Sequence, residues 1–345
     1  MRQLRIVLPG AKCNLHCRYC LDGYGVRISG AGDKAAPIFT IEEKNRLSDE
    51  THMREVETHD RAESSFITIY DIDRLLRAVK PFTFKYIGIW GGEPLFNRHL
   101  EPLLRALRHQ YPGTPMGLLS NGTLLNKEWV KLLNELDVGL TISHDGPAQS
   151  LCRCADYLTP AYINLLHDLR RFKGTNSVVH RFNCDPWEIY QFFRDKGLPK
   201  DAQVYFEPFK LVDYRFMDYL PGPGEYKKFY SGWKAVFTAA RAGEARLRSE
   251  LVKAGNKLKS HGRTSCGADR RLTVDLAGNI YHCQVAAETG HTGKIDNALP
   301  YWCEGCRHAR RCRGICPLVP AVYRQKMCML YHLYLDAAEE ELGNG

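Results

Sequence analysis

Hydrophobic and polar positions alternate between strand-like and helix-like segments over the first 210 residues or so. Short apolar runs predict strands at 1–8, 85–90, 116–119, 138–143, 177–182 and 203–207. Leucines and other apolar residues at helical spacing predict helices at 71–79, 97–110, 127–136, 160–172 and 186–196. Repeated strand–helix units imply parallel strands with right-handed crossovers. About six such units suit a partial barrel or a doubly wound sheet, and are too few for a closed eight-unit barrel.

Two segments break this pattern. Residues 22–66 are polar and charged with little apolar periodicity, and we interpret them as an atypical insert, either mobile and functional or partly disordered. After the Pro-Gly-Pro-Gly run at 221–224, helical spacing over 225–242 and a basic stretch at 243–263 lead to a cysteine-rich tail. We therefore predict a first domain at 1–222, a helical linker at 223–265 and a small domain at 266–345.

Composition narrows the class of protein. The chain has 345 residues and thirteen cysteines, an odd number that excludes a fully paired disulfide framework. No export signal and no apolar run of about 18 residues occur, so we expect a cytoplasmic protein whose clustered cysteines bind metal and which has no membrane partner. The net charge is +9, and basic residues cluster at 253–271 and 308–313. We interpret these stretches as solvated surface in preference to a nucleic-acid site, and an acidic substrate would fit equally well.

A compact cysteine motif follows the first strand: Cys13-x3-Cys17-x2-Cys20. Three thiolates on one loop can hold three irons of a [4Fe–4S] cube, which leaves the fourth iron open to a small chelating molecule. A zinc knuckle completed by His16 is the alternative. The motif, with Tyr19 before its last cysteine, resembles the signature of the radical S-adenosylmethionine (SAM) superfamily. That resemblance implies that the open iron binds SAM and that reductive cleavage yields a 5′-deoxyadenosyl radical.

Further segments at predicted strand ends resemble the same family. Gly91-Gly92-Glu93-Pro94 resembles the segment that contacts the amino group of SAM, where glycines permit close backbone approach and a carboxylate pairs with an ammonium. The segments around Asn121, Ser143 and Asp145 resemble those that reach the methionyl and ribose groups. By the same resemblance, the predicted cofactor contacts extend to Arg181, Asn183 and Phe206. Taken singly, each segment is more often turn chemistry than a ligand site.

The tail resembles the SPASM extension found behind radical SAM domains. Its cysteines follow the same spacing, with a hairpin predicted at 271–282. The resemblance implies two auxiliary [4Fe–4S] clusters, an outer one held by Cys303, Cys306, Cys312 and Cys328 and an inner one held by Cys266, Cys283 and Cys316. Because no further cysteine follows Cys266 closely, the inner cluster could have an open iron. Two zinc ribbons are the alternative, although only one C-x2-C pair is present.

Three cysteines lie outside these motifs. Cys152 and Cys154 follow the fourth strand, and Cys184 follows the fifth. The plainest interpretation is that they are small buried apolar residues. The sharper hypothesis is that Cys184 is catalytic, donating or quenching a hydrogen atom.

Together these features predict an α/β fold, a partial (β/α)6 radical SAM barrel with a small cysteine-rich SPASM domain. Within that group, the chain resembles the anaerobic sulfatase-maturating enzymes and the ribosomal-peptide maturases, which implies oxidation or cross-linking of a peptide or protein side chain. Gln284 replaces the aspartate base of the sulfatase-maturating enzymes, so formylglycine formation is disfavoured. Expected partners are a peptide or protein substrate, a reductant such as flavodoxin or ferredoxin, and a separate leader-binding protein. Radical modification of a small metabolite or RNA is one alternative, and a zinc-ribbon nucleic-acid binder is the non-enzymatic one.

Overall fold

A computed structural model describes residues 2–8, 13–15, 17–20, 67–209, 214–259, 271–281, 303–312, 319 and 321–343. The chain forms two compact units. The first unit consists of 1–143, 150–173 and 268–292, and the second consists of 144–149, 174–267 and 293–345. The predicted insert at 22–66 lies outside the described residues, as do Cys266, Cys283 and Cys316.

Strands and helices alternate over most of the chain. The strands are β1 (Arg2–Val7), β2 (Phe84–Trp90), β3 (Met116–Ser120), β4 (Val138–Ser143), β5 (Phe172–Val179), β6 (Gln203–Pro208), β7 (Arg271–Asp275) and β8 (Ile280–Tyr281). The helices are α1 (Ile69–Val79), α2 (Leu100–Gln110), α3 (Lys127–Glu135), α4 (Gln149–Cys152), α5 (Pro160–Asp168), α6 (Pro186–Asp195), α7 (Pro223–Arg241), α8 (Arg248–Leu258), α9 (Ala309–Cys312) and α10 (Ala321–Leu342). No helix among the described residues is both long and apolar enough to cross a lipid bilayer.

The strands of the first unit are ordered β4-β3-β2-β1-β7-β8. All neighbours are parallel except β7 and β8, which form an antiparallel hairpin. The strands are near-continuous apolar runs because helices cover parallel sheets on their faces. Leu100, Leu103, Leu104 and Leu107 are all buried on α2, at the i, i+3, i+4, i+7 spacing of an amphipathic helix. The carboxyl ends of parallel strands share one sheet edge, which is where the motif loops begin.

The second unit contains the parallel pair β5–β6 and a helical layer. Helix α7 packs along α10, with the rings of Trp233 and Tyr334 edge-to-face at 4.7 Å. At the exposed rim of this contact, Lys234 lies 2.8 Å from a carboxylate oxygen of Glu340. Trp233 also packs against Phe206 of β6, with ring centroids 5.4 Å apart. Aromatic packing of this kind holds the last helix of the chain to the body of the unit.

The structure confirms the predicted α/β fold with a partial barrel and a cysteine-rich carboxyl-terminal region. One strand differs in its bounds, since β5 begins at Phe172 although the sequence places the strand at 177–182. The reason is Gly174, which a sequence pattern associates with a turn. Its φ is +131°, and a β-carbon there would lie 1.7 Å from the carbonyl oxygen of Gln203 on β6. Glycine is therefore required inside this strand, where the two backbones approach closely.

One helix and one strand pairing near the carboxyl terminus were not predicted. The helical pattern of α10, which carries Cys328, is interrupted by polar residues and escapes simple periodicity. The predicted hairpin at 271–282 is present, but its first strand also pairs in parallel with β1, from Gln3 opposite Arg271 to Val7 opposite Asp275. Such a long-range pairing leaves no local signal in the sequence.

Candidate functional site

The first candidate site is the thiol loop that follows β1. Cys17 is buried, and Cys13 and Cys20 are half-buried. A tight turn, in which the amide of Cys20 donates to the carbonyl of Cys17 at 3.1 Å, brings the two residues together. The amide of Arg18 donates to the carbonyl of Cys152 at 2.9 Å, which ties the loop to the end of α4. The three predicted cluster ligands therefore lie in one small region of the first unit.

Cys154 and Tyr19 line the same region. Cys154 is buried and packs with Leu15 and Cys17 in one apolar cluster, as the interpretation of it as a small buried residue requires. Tyr19 is buried, and its hydroxyl accepts a hydrogen bond from Nε of Arg153 at 2.7 Å. The aromatic residue of the motif thus anchors the loop to the segment after α4.

The electrostatics of this pocket disfavour a free thiolate at Cys13. Burial raises the pKa of the Cys13 thiol well above its usual range. The nearby groups of Cys17, Glu93 and Cys20 raise it further, in that order. Several acidic groups that share a desolvated site cannot all ionise unless a positive centre offsets their mutual repulsion. An iron–sulfur cluster, which binds cysteines only as thiolates, supplies such a centre.

The Gly91-Gly92-Glu93-Pro94 segment begins where β2 meets the end of β1. The amide of Leu8 donates to the carbonyl of Trp90 at 2.7 Å, immediately before the glycines. Gly91 and Gly92 both have positive φ, of +96° and +48°. A β-carbon on Gly91 would lie 2.3 Å from the carbonyl oxygen of Leu8. The first glycine therefore permits the two strand ends to touch, and the turn directs Glu93 into the interior.

Glu93 is almost fully buried and its carboxylate ties two loops together. Oε1 accepts hydrogen bonds from the hydroxyl of Ser120 at 2.6 Å and from the amide of Leu95 at 2.9 Å. Oε2 accepts from the amide of Asn121 at 2.5 Å. Burial nevertheless raises the pKa of Glu93 from its ordinary 4.5 to about 7, because desolvation outweighs these donors. Since an ionised carboxylate offers about four acceptor positions, one remains for a further donor.

The loop after β3 continues this network to the thiols. Nδ2 of Asn121 donates to Oδ1 of Asn14 at 2.8 Å and lies 3.7 Å from Sγ of Cys13. Nδ2 of Asn14 in turn donates to the hydroxyl of Thr123 at 2.9 Å. The hydroxyl of Tyr157 donates to the backbone carbonyl of Asn121 at 2.6 Å. The structure thus brings Asn121, Glu93 and Cys13 together in one region.

The sequence did not identify Asn14, Ser120 and Thr123 as members of this network. Asn14 lies inside the cysteine motif at a position without a thiol, and Ser120 and Thr123 flank Asn121. All three are short polar residues beside strand ends, where turn chemistry is the commoner explanation for such residues. Only the convergence of three loops shows that they connect the thiols to Glu93.

The structure also describes three other predicted cofactor contacts: Ser143, Asp145 and Asn183. Ser143 ends β4 and is half-buried. In the second unit, Asp145 is buried, and its Oδ1 accepts from the amide of Val178 at 3.1 Å. Nδ2 of Asn183 donates to the carbonyl of Val178 at 3.3 Å, so both side chains brace the end of β5. Their observed contacts are structural, and their contacts with cofactor remain predictions.

The two remaining residues of that set differ in exposure. The Arg181 side chain is half-exposed, with Nε 3.4 Å from a carboxylate oxygen of Glu225. Phe206 is buried and packs edge-to-face on Trp233. Its amide donates to the buried carboxylate of Glu250 at 3.3 Å. Phe206 therefore contributes to the core of the second unit.

Cys184 is buried just before helix α6. Burial raises the pKa of its thiol, partly offset by the nearby Lys228. The neutral S–H form is therefore favoured near pH 7, and it is the form that can give up a hydrogen atom. This chemistry is compatible with the predicted role, which stays a prediction.

A second thiol site lies in the carboxyl-terminal region. Its four cysteines come from the segment before α9, from α9 and from α10: Cys303, Cys306, Cys312 and Cys328. Burial raises the pKa of the Cys328 thiol to about 11, and the three other thiols add to the shift. The four predicted outer-cluster ligands are thus close enough to influence one another, and a positive centre would offset their mutual repulsion.

The spacing of these thiols differs from that of a zinc site. A zinc ion with Zn–S bonds of about 2.3 Å in tetrahedral geometry draws its sulfurs to within about 4 Å of one another. Within the described part of the chain, the one group of three potential ligand atoms within 4.8 Å of one another is His308, Asp336 and Glu339. Both carboxylates of that group also contact arginines, Arg307 and Arg311. No thiol belongs to this group.

One histidine beside the second thiol site was not predicted. Nε2 of His332 lies 3.2 Å from Sγ of Cys306 and 3.6 Å from Sγ of Cys328. Cys328 and His332 are four residues apart on α10, and this spacing places both on the same helix face. The signal was visible as C-x3-H, but it requires knowing that the segment is helical.

Comparisons with known proteins agree with this geometry. The family model described as "Radical SAM superfamily" matches residues 7–182. A GTP 3′,8-cyclase from Staphylococcus aureus (strain bovine RF122 / ET3-1) is 25% identical over 214 residues, 57% of this chain and 52% of that protein. The chain thus matches about half the length of this curated relative.

Solved structures share the fold over a longer span. The structure of anSMEcpe with bound AdoMet and the Cp18Cys peptide has a TM-score of 0.68 at 18% identity, covering 99% of this chain and 98% of the other. Streptococcus suis SuiB bound to S-adenosylmethionine has a TM-score of 0.56 at 14% identity, covering 92% of this chain and 73% of that one. At these identities the likeness concerns the fold alone.

Replacing Gly91 by alanine tests the close approach at the start of this site. We expect Gly91→Ala to destabilise the protein by roughly 2–4 kcal/mol, because the new β-carbon meets the backbone of Leu8 at a left-handed φ. Gly113→Ala is the matched control, since a β-carbon on Gly113 would have no neighbouring atom within 4 Å and this glycine lacks a positive φ. Chemical denaturation followed by circular dichroism measures both. Equal stability of the two variants would contradict the assignment.

Proposed function

Because this chain belongs to the radical SAM superfamily, we propose that it is an iron–sulfur oxidoreductase that cleaves SAM reductively to modify a peptide or protein side chain. The modification is an oxidation or a cross-link, in which the substrate loses two hydrogens. Membership in this family implies SAM and one [4Fe–4S] cluster as cofactors. We further propose two auxiliary [4Fe–4S] clusters and a peptide or protein substrate.

The observation that carries the proposal is the convergence of thiols and a carboxylate in one desolvated pocket. Cys13, Cys17 and Cys20 would hold three irons of the SAM-binding cluster, which leaves one iron for the amino and carboxyl groups of SAM. Glu93, with one acceptor position left, would take a hydrogen bond from the ammonium of SAM. A cluster bound by Cys13, Cys17 and Cys20 would supply the electron that cleaves SAM, and the resulting 5′-deoxyadenosyl radical would take one hydrogen atom from the substrate. A cluster bound at the second thiol site would accept the next electron, while the second hydrogen leaves as a proton.

The remaining residues of the network orient the site. Nδ2 of Asn121, 3.7 Å from Sγ of Cys13, points an N–H group at a ligand sulfur. Ser120 and the amide of Asn121 fix both oxygens of Glu93, so the carboxylate cannot rotate away from a bound ammonium. Cys303, Cys306, Cys312 and Cys328 would hold the outer auxiliary cluster. Cys266, Cys283 and Cys316 are proposed for the inner one.

A peptide or protein substrate is favoured by the fold and by the second thiol site. The similar structures of anSMEcpe and SuiB were solved with a peptide, Cp18Cys in one case and the precursor SuiA in the other. A four-thiol carboxyl-terminal site suits the removal of a second electron. We also propose two further partners: a flavodoxin or ferredoxin as reductant, and a separate leader-binding protein.

One specific observation favours a second candidate, modification of a small molecule. The Staphylococcus aureus relative is a GTP 3′,8-cyclase. Its match covers only about half of each chain, and the net charge of +9 is compatible with an anionic substrate. GTP is therefore the natural competing probe.

Removal of either thiol set should lower the iron content, but only removal of the first set should abolish cleavage of SAM. We expect reconstituted wild-type protein to bind about twelve irons, and either Cys13→Ala/Cys17→Ala/Cys20→Ala or the outer-set quadruple alanine variant to bind about eight. Only the first variant should lose 5′-deoxyadenosine formation from SAM under dithionite. Iron analysis and liquid chromatography with mass spectrometry measure both quantities.

Cys152→Ala is the matched control for this experiment. It removes a buried thiol but keeps the backbone carbonyl that contacts Arg18, so iron content and cleavage should match the wild type. Cleavage that survives loss of the first three thiols would refute the assignment of the SAM-binding cluster.

Glu93 gives the binding of SAM a specific pH dependence. Its pKa is raised to about 7, so the carboxylate becomes protonated, and loses its attraction for an ammonium, as the pH falls through that value. Relative to Glu93→Gln, wild-type affinity for SAM should rise roughly eightfold from pH 6 to 7.5, a factor set by the ionised fraction.

Anaerobic equilibrium dialysis of labelled SAM against the oxidised holoenzyme measures this ratio. The amino group of SAM titrates equally in both experiments, so the ratio of wild-type affinity to Glu93→Gln affinity reports the titration of Glu93 alone. A ratio that stays flat over the range would show that Glu93 does not pair with SAM.

The substrate class is tested by offering both candidates to the reduced holoenzyme with SAM. We expect a peptide encoded beside the gene to lose two hydrogens, about 2 Da, with formation of 5′-deoxyadenosine, and GTP to remain unchanged. Tandem mass spectrometry locates the change. Conversion of GTP without change in any peptide would reject the peptide proposal in favour of the second candidate.

A further inference from the structure

His332 projects from α10 toward the sulfur atoms of the second thiol site. Its Nε2 lies within hydrogen-bonding distance of two sulfurs, 3.2 Å from Sγ of Cys306 and 3.6 Å from Sγ of Cys328. One of these cysteines belongs to its own helix and the other to the segment before α9. The histidine therefore bridges two of the chain segments that supply ligands.

The orientation of the ring follows from its surroundings. His332 is one turn after Cys328 on α10, so the helix itself sets the approach to that sulfur. On the other side, the ring of His308 packs edge-to-face against it, with centroids 5.2 Å apart. Nε2 of His308 is 2.6 Å from a carboxylate oxygen of Asp336, which also contacts Arg307. His308 is thus held by an ion-pair group and in turn packs against the His332 ring.

We propose that His332 donates an N–H···S hydrogen bond, shared by Cys306 and Cys328, that raises the reduction potential of the outer auxiliary cluster. This inference rests on the proposed function, which places a [4Fe–4S] cluster on these four cysteines. It assigns His332 a tuning role toward the cluster and adds no ligand to it.

The effect of such a donor on the reduction potential is electrostatic. Reduction adds one negative charge, part of which resides on the cysteine sulfurs. A donor aimed at those sulfurs stabilises the reduced form more than the oxidised form, and hydrogen bonds to cluster sulfurs are a recognised control of potential. Four cysteines already satisfy a [4Fe–4S] cluster, so the imidazole is not needed as a ligand. A higher potential would make the outer cluster a better acceptor for an electron removed from substrate.

The test uses the full chain with Cys13, Cys17 and Cys20 replaced by alanine, which leaves only the auxiliary clusters. Redox titration followed by electron paramagnetic resonance compares this parent with His332→Leu and with His332→Gln, which keeps an N–H donor. We expect His332→Leu to lower the equilibrium constant for reduction of one cluster about tenfold, which is about 59 mV for a one-electron couple. The Gln variant should recover part of the shift, and the inner cluster, if reducible, should not move.

A second measurement keeps the histidine in place. In reduced parent protein labelled with ¹⁵N-histidine, pulsed electron paramagnetic resonance should detect a weak ¹⁵N coupling that disappears in His332→Gln. Strong coupling would identify a direct iron ligand and overturn the proposal, as would absence of coupling or an unchanged potential in the Leu variant. A parent without auxiliary iron would refute the outer cluster itself, and with it this inference. A parent with the cluster but no shift would refute the inference alone.

Discussion

The arrangement of the first site depends on the repulsion among acidic groups that the fold brings together out of water. The Cys13 thiol and the Glu93 carboxyl are both buried, and each has a raised pKa because desolvation disfavours its charged form. A folded chain can keep such groups together only if they stay protonated or meet positive charge. The hydrogen bonds from Ser120 and Asn121 reduce the cost for Glu93 without removing it. The pocket is therefore suited to an iron cluster and an ammonium compound, whose charges complete it.

The two thiol sites share one feature, a side-chain nitrogen beside a cysteine sulfur, in two different structural settings. A side-chain nitrogen lies near a cysteine sulfur in each thiol site: Nδ2 of Asn121 is 3.7 Å from Sγ of Cys13, and Nε2 of His332 is 3.2 Å from Sγ of Cys306. In the first case a loop after a β-strand positions the donor, and in the second case a helical turn does so. The backbone elements beside the thiols, a loop in one site and a helix in the other, thus control the surroundings of the sulfurs as well as the positions of the cysteines.

Local patterns predicted most of the barrel strands, because each strand is an apolar run ended by turn residues. They also located the motif residues whose neighbours in space follow from parallel topology, as with Cys13, Glu93 and Asn121. The patterns failed where backbone geometry decides the outcome: Gly174 looks like a turn but lies within β5, against the backbone of Gln203. They failed again where a residue acts through a partner distant in sequence. His332, for example, approaches Cys306 from 26 residues away in the sequence.

The parallel pairing of β7 with β1 bears on how the protein is made. During synthesis, the strand before the cysteine loop lacks one of its two neighbours until residues 271–275 have emerged, about 265 positions later. At ribosomal rates of roughly 5–20 residues per second, that edge stays open for on the order of ten to fifty seconds. An open parallel edge with buried-type side chains is prone to pair with another chain. Insertion of iron into the nascent loop would thus begin beside an incomplete sheet, and cells that assemble this protein would gain from delaying cofactor delivery until translation has ended.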